Sequence, residues 1–140
     1  MIASWRTHLR NIVKPISVFT RYLRGLVSGR PIIAEGWGLR PEAVVKVAPS
    51  PQRMVVMVPT ARFREHQLAT LPRAGQMSMP VSDPELAVRN RMERDRIVAQ
   101  DAVDQARGLG IRVIEVDGSR DADAVADLVA EHFAGALAAS

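Results

Sequence analysis

Cysteine is absent from the 140 residues, which excludes disulfides, thiolate metal sites and cysteine nucleophiles at the outset. No apolar run approaches the length needed to span a bilayer, although apolar residues make up 47% of the chain. Nothing at the N-terminus resembles a cleavable secretory signal, so a cytoplasmic location is expected. The three histidines, His8, His66 and His132, are far apart and show no ligand spacing, which argues against a histidine-based metal site. No serine, histidine and acid arrangement stands out, and there is neither an internal repeat nor a low-complexity tract. Lysine is nearly missing, with 17 arginines to two lysines. At this length one domain with a respectable core is expected.

Acidic residues are missing from residues 1–30, which carry Arg6, Arg10, Lys14, Arg21, Arg24 and Arg30. The net charge of +4 is therefore uneven, because residues 31–140 hold 13 basic and 15 acidic groups. A nearly neutral main body gives no ground for specific nucleic-acid binding. Within the basic segment Trp5, Leu9, Ile12, Ile16, Phe19, Leu23 and Leu26 recur at helical spacing, with Pro15 as a kink and Gly29 as a stop. Two readings fit: an amphipathic helix on a membrane surface, or a helix packed on the domain with a solvated basic face. The chain thus divides into a basic amphipathic segment, 1–30, and an α/β domain, 31–140.

Three β-branched runs bounded by Gly or Pro read as strands, "PIIAE" (31–35), "RMVVMVPT" (53–60) and "IRVIEVDG" (111–118). Helical patterns separate them. Pro41 opens a short helix closed by Pro49 and Pro51, "ARFREHQLAT" reads as another, and a loop follows it. Ser82 or Asp83 caps a long helix with Pro84 in its first position, and Gly108 and Gly110 end it. A last helix has acids in its first turn. Strand alternating with helix predicts a parallel sheet of about three strands with helices on both faces.

In such a sheet ligands collect beyond the carboxyl ends of the strands. Those ends carry Glu35-Gly36, Pro59-Thr60 and Asp117-Gly118-Ser119-Arg120. Glu35 reads either as a general base or a carboxylate near Mg²⁺, or as a helix cap or arginine partner. Asp117 and Ser119 fit a ligand loop, and equally the turn and cap before the last helix. Arg62 and Arg64 follow the second strand closely enough to reach the crevice, one of them pointing inward. Arg91 and Arg94, three apart on the long helix, share a face and can converge on a phosphate, or pair with the acids among them. Trp37 can stack on a ring or be buried.

The order "RPIIAEGWGLRPE", "VVMVPTARFREH", "NRMERDRIVAQDA" and "IRVIEVDGSRDADAVADLVAEHF" resembles the carboxyl-terminal two-thirds of small P-loop kinases of the nucleoside- and shikimate-kinase-like type, over about residues 16–134. The resemblance implies a three-layer sheet, an ATP and Mg²⁺ requirement, and roles for particular residues. Glu35 matches the acid after the Walker B-like strand, Arg91 and Arg94 the lid arginines on the transferred phosphoryl group, and residues 117–120 the loop beside the base. The departure is that no G-x-x-x-x-G-K-[ST] occurs in the chain, and with it go the phosphate cradle, its lysine and the Mg²⁺ hydroxyl. In that family the strand bearing this loop lies at the centre of the sheet. Three accounts follow: a late-started fragment, a degenerate kinase-like protein that binds without catalysing, or half of a site completed by a protein partner that supplies the missing sheet. The alternative class is a non-enzymatic interaction module working through the basic N-terminal helix.

Overall fold

The computed structural model describes residue 25, residues 32–71 and residues 80–138. The expected helix over the basic segment lies outside the described residues except for Gly25, which is helical. The elements are α1 (Pro41–Val44), a 3-10 turn (Pro51–Arg53), β1 (Val55–Pro59), α2 (Ala61–Thr70), α3 (Pro84–Gly108), β2 (Arg112–Val116) and α4 (Ala122–Ala138).

Local chemistry accounts for most of these bounds. Pro41 stands at the first position of α1 and Pro84 at that of α3, where a missing N–H costs nothing. Thr60 caps α2 by accepting from the Phe63 N–H at 3.3 Å, and Asp83 caps α3 by accepting from the Leu86 N–H at 2.9 Å. Asp121 does the same for α4, accepting from the Ala124 N–H at 2.9 Å. At the other end of α3, Gly110 takes φ +69° and lets the Ile111 N–H return to the Ala106 carbonyl at 2.9 Å.

β1 and β2 pair in parallel, Val55 beside Arg112 and Pro59 beside Val116. The crossover between them runs through α2 and α3, as a parallel pair requires. The fold is therefore α/β, with a two-stranded parallel sheet among the described residues. The expected strand over 31–35 is not formed in its described part: residues 32–36 carry no ladder bonds, and Ile33 is 83% exposed. Strand character requires a neighbour to accept the backbone bonds, and a β-branched run without one stays as solvated extended chain.

Alternation along the strands divides the core. Val56 and Val113 pack with Met54, Ala106 and Ile111 beneath α3. On the other face Met57 and Val116 line a cleft together with Val125 and Val129 of α4, and Ile114 lines a smaller one with Val125 and Leu128. Ala106 is wholly buried, so the helix approaches the sheet as closely as a methyl side chain permits. Two polar ties fix α4 to the start of β1: His132 Nε2 donates to the Met54 carbonyl at 2.8 Å, and Arg53 to the Ala136 carbonyl at 3.2 Å.

Candidate functional site at the strand ends

The parallel register brings the carboxyl ends of β1 and β2 side by side. Past the last pair, Pro59 and Val116, the Thr60 N–H donates to the Val116 carbonyl at 2.9 Å. Thr60 and Asp117 are thereby neighbours on one edge. Thr60 opens α2, so Arg62 and Arg64 lie in its first turn. Arg62 is exposed and Arg64 half-buried.

The loop after β2 is ordered by its own side chains. Asp117 Oδ1 accepts from the Ser119 hydroxyl at 2.6 Å and from the Ser119 N–H at 2.9 Å. These bonds, that from the hydroxyl foremost, and more weakly the charge of Arg120, hold the Asp117 carboxyl below the usual aspartate range. Ser119→Ala is expected to move the Asp117 titration midpoint upward, part of the way to its ordinary value because the backbone bond remains. A carboxyl-carbon NMR titration reads this directly, and an unmoved midpoint would assign the shift to another group. The sign for stability follows from the depressed value. Asp117's contribution is present above the ordinary aspartate range and lost as pH falls through the lowered folded-state value.

Gly118, at φ +84°, lies against Phe63, and a β-carbon built there would stand 2.6 Å from the ring. The space that a glycine leaves for a ligand's approach is thus filled by the ring. Phe63 was not legible as a site residue, and its only sequence signal is an aromatic in the first turn of a helix that begins at a strand end.

The remaining expected residues are Arg91, Arg94, Glu35 and Trp37. At 1.5 Å per residue α3 is about 37 Å long, and β2 at 3.3 Å per residue about 17 Å. α3 is thus about twice as long as either strand, and Arg91 and Arg94 lie in its N-terminal half. Arg91 is half-buried, while Arg94 is exposed and places Nε and Nη2 on Asp95 Oδ1 at 2.9 and 2.6 Å. Arg96 forms a two-pronged bond to Glu93, which holds that carboxyl low. Glu35 is exposed, and no described residue bonds to it. It neither caps α1, whose cap position is Arg40, nor joins the Thr60–Asp117 edge through a hydrogen bond. Trp37 is 70% exposed, which disposes of its buried alternative.

The edge fits a polyphosphate only in part. Arg62, Arg64 and Arg120 supply charge, but the loop that would enclose phosphates with backbone N–H groups is absent from the sequence. Among the described residues no three His, Asp or Glu side chains gather to hold a metal ion. Mg²⁺ asks for only one or two carboxylates when phosphates complete its shell, and Glu35, the acid expected near it, stands exposed with no hydrogen bond to the Thr60–Asp117 edge. No described helix is long and apolar enough to cross a membrane. The chain matches no family model, no curated protein and no solved structure.

Proposed function

We propose that the chain is a phosphotransferase-derived, nucleotide-binding-type domain of three-layer, P-loop-kinase-like descent that is catalytically silent by itself. The observation that supports this reading is the adjacency of Thr60 and Asp117 on one parallel edge, with Arg62, Arg64 and Arg120 beside them. Ligand sites of open α/β sheets lie at such an edge, where strand ends and helix starts converge. Silence follows from the missing enclosure: without the glycine-rich loop and its lysine, nothing aligns a γ-phosphate for transfer. Within this reading Arg91 and Arg94 keep the place of lid arginines and Glu35 that of the Mg²⁺-side acid. The outer edge of β1 is where a protein partner's strand would complete the sheet.

The test is Mg-ATP binding by thermal shift, paired with a turnover assay. Nucleotide at about 100-fold above Kd stabilises a fold by about 2.7 kcal/mol. For a chain of this size that is several degrees of Tm. The expected result is a rise with millimolar Mg-ATP, lost in Arg120→Ala and reduced in Arg94→Ala, with no ATP hydrolysis. No rise at millimolar nucleotide would sink the binding part, and turnover by the chain alone would sink the silence.

A further inference from the structure

A cleft of about 830 Å³ opens between residues 32–34, Met57 and Phe63 on one side and α4 on the other. Its floor is apolar, and Ile32, Ile33 and Met57 are all exposed in it. We propose that this cleft seats the chain's own N-terminal apolar stripe, Trp5 to Leu26, which packs along α4. The proposal stands independently of the nucleotide reading.

Continuity of the chain is the first support. Ile32 lines the cleft, and Leu26, the last residue of the stripe, precedes it by only six positions. Six residues span at most about 20 Å, so the stripe begins within reach of the cleft wall. Its spacing is the second support. Trp5, Leu9, Ile12, Ile16, Phe19, Leu23 and Leu26 alternate steps of four and three, the seam pattern of one helix laid against another. The wall offered in return is a helix face, with Val125, Val129 and Phe133 four apart. Kinked at Pro15, the 22 residues of the stripe would make two helical pieces of about 15 and 18 Å, together enough to cover the 17 residues of α4 at about 25 Å.

Charge is the third support, at the level of whole segments. Asp121, Asp123, Asp127 and Glu131 are exposed along α4 and its cap, and residues 121–138 contain no lysine or arginine, although of these acids only Asp121 lines the cleft, together with Arg53 and Arg120. Residues 1–30 carry six basic groups and no acid, opposite in sign to α4.

Trp37→Phe leaves Trp5 as the sole tryptophan. In the full chain carrying that change, Trp5 is expected to emit as a buried indole and to resist acrylamide. Val129→Asp in the cleft wall should red-shift it and raise the quenching constant several-fold, with the far-UV spectrum unchanged. Because Val129→Asp can also unfold α4, the double change Ile16→Asp with Phe19→Asp, which leaves the described domain intact, should do the same. Water-like Trp5 emission, or emission indifferent to the Ile16 and Phe19 changes, overturns the proposal. Shielding that vanishes on dilution as the mass falls from dimer to monomer overturns it in favour of a second copy. Shielding that arises only with anionic vesicles overturns it in favour of a membrane surface.

Discussion

Arg40→Ala is expected to destabilise the domain by about 3 kcal/mol, the loss typical of an opened buried ion pair. Arg40 is only 3% exposed although it is an arginine in a short loop. Its guanidinium donates to the Val98 carbonyl at 3.2 Å and pairs with Asp101, both on α3. Asp101 in turn accepts from Gln105 at 2.8 Å, and Gln105 accepts from the Glu42 N–H at 3.2 Å. The Arg40 carbonyl accepts from the N–H groups of Ala43 and Val44, both at 3.0 Å, so one residue opens α1 and joins it to α3. Alanine would leave the Asp101 carboxylate, 31% exposed, with Gln105 as its remaining partner among the described residues. Partial access to water keeps the cost at the lower end for such pairs. With a urea m-value of about 2 kcal/mol/M, the midpoint should fall by about 1.5 M at constant m. Arg40→Met combined with Asp101→Leu should recover most of the loss, because an apolar pair of similar volume removes both charges together. A fall corresponding to less than about 1 kcal/mol would place the pair with ordinary surface ion pairs.

Arg40 also shows which parts of the structure a sequence conceals. β1 and β2 are legible because runs such as "VVMV" have few uses outside a strand. The long helix α3 is legible because Asp83-Pro84 and Gly108 punctuate it at both ends. These are local signals. Burial of Arg40 depends on Asp101 standing 61 positions away in the chain, and nothing in "GLRPE" announces it. The extended run at 32–35 fails as a strand for the same kind of reason, since its local preference is right and its neighbour is not there among the described residues.

The candidate site divides in the same way. That Thr60 and Asp117 meet follows from parallel pairing, which the alternation of strand and helix predicts. The Asp117–Ser119 turn is also near-local and within reach of a sequence argument. For Arg91 and Arg94 the sequence offers both outcomes, because it sets acids among the arginines without saying which partner is bound first. Arg94 finds Asp95 next to it and keeps its fork there. Glu35 belongs to the same class: a strand end predicts a carboxylate at a rim only if the strand is in the sheet.

The expected result at Gly118 is the second large effect, and it bears on fold and site together. Gly118→Val should cost about 3 kcal/mol through two separable causes. At φ +84° any β-carbon is strained, by about 1 to 2 kcal/mol for an L-residue in the left-handed region. The same β-carbon would also meet Phe63 Cδ2 at 2.6 Å and Cε2 at 2.7 Å, so the ring or the loop must move. A double-mutant cycle separates these causes. Gly118→Ala should cost markedly less in a Phe63→Leu background than in the native one, and the residue left over is the backbone strain. Equal costs in both backgrounds would mean that the ring yields freely and that the contact constrains nothing. The location of any movement decides what the contact is for. Phe63 sits one turn into α2, whose cap is Thr60, and Gly118 sits between Asp117 and Ser119, so pushing them apart separates the two halves of the strand-end edge. If that edge binds nucleotide, Gly118→Ala should reduce the Mg-ATP thermal shift even after its own stability loss is subtracted. Gly110→Ala, at the opposite end of the sheet, also carries a backbone penalty, at φ +69°, but meets no atom within 4 Å, and should leave that shift unchanged.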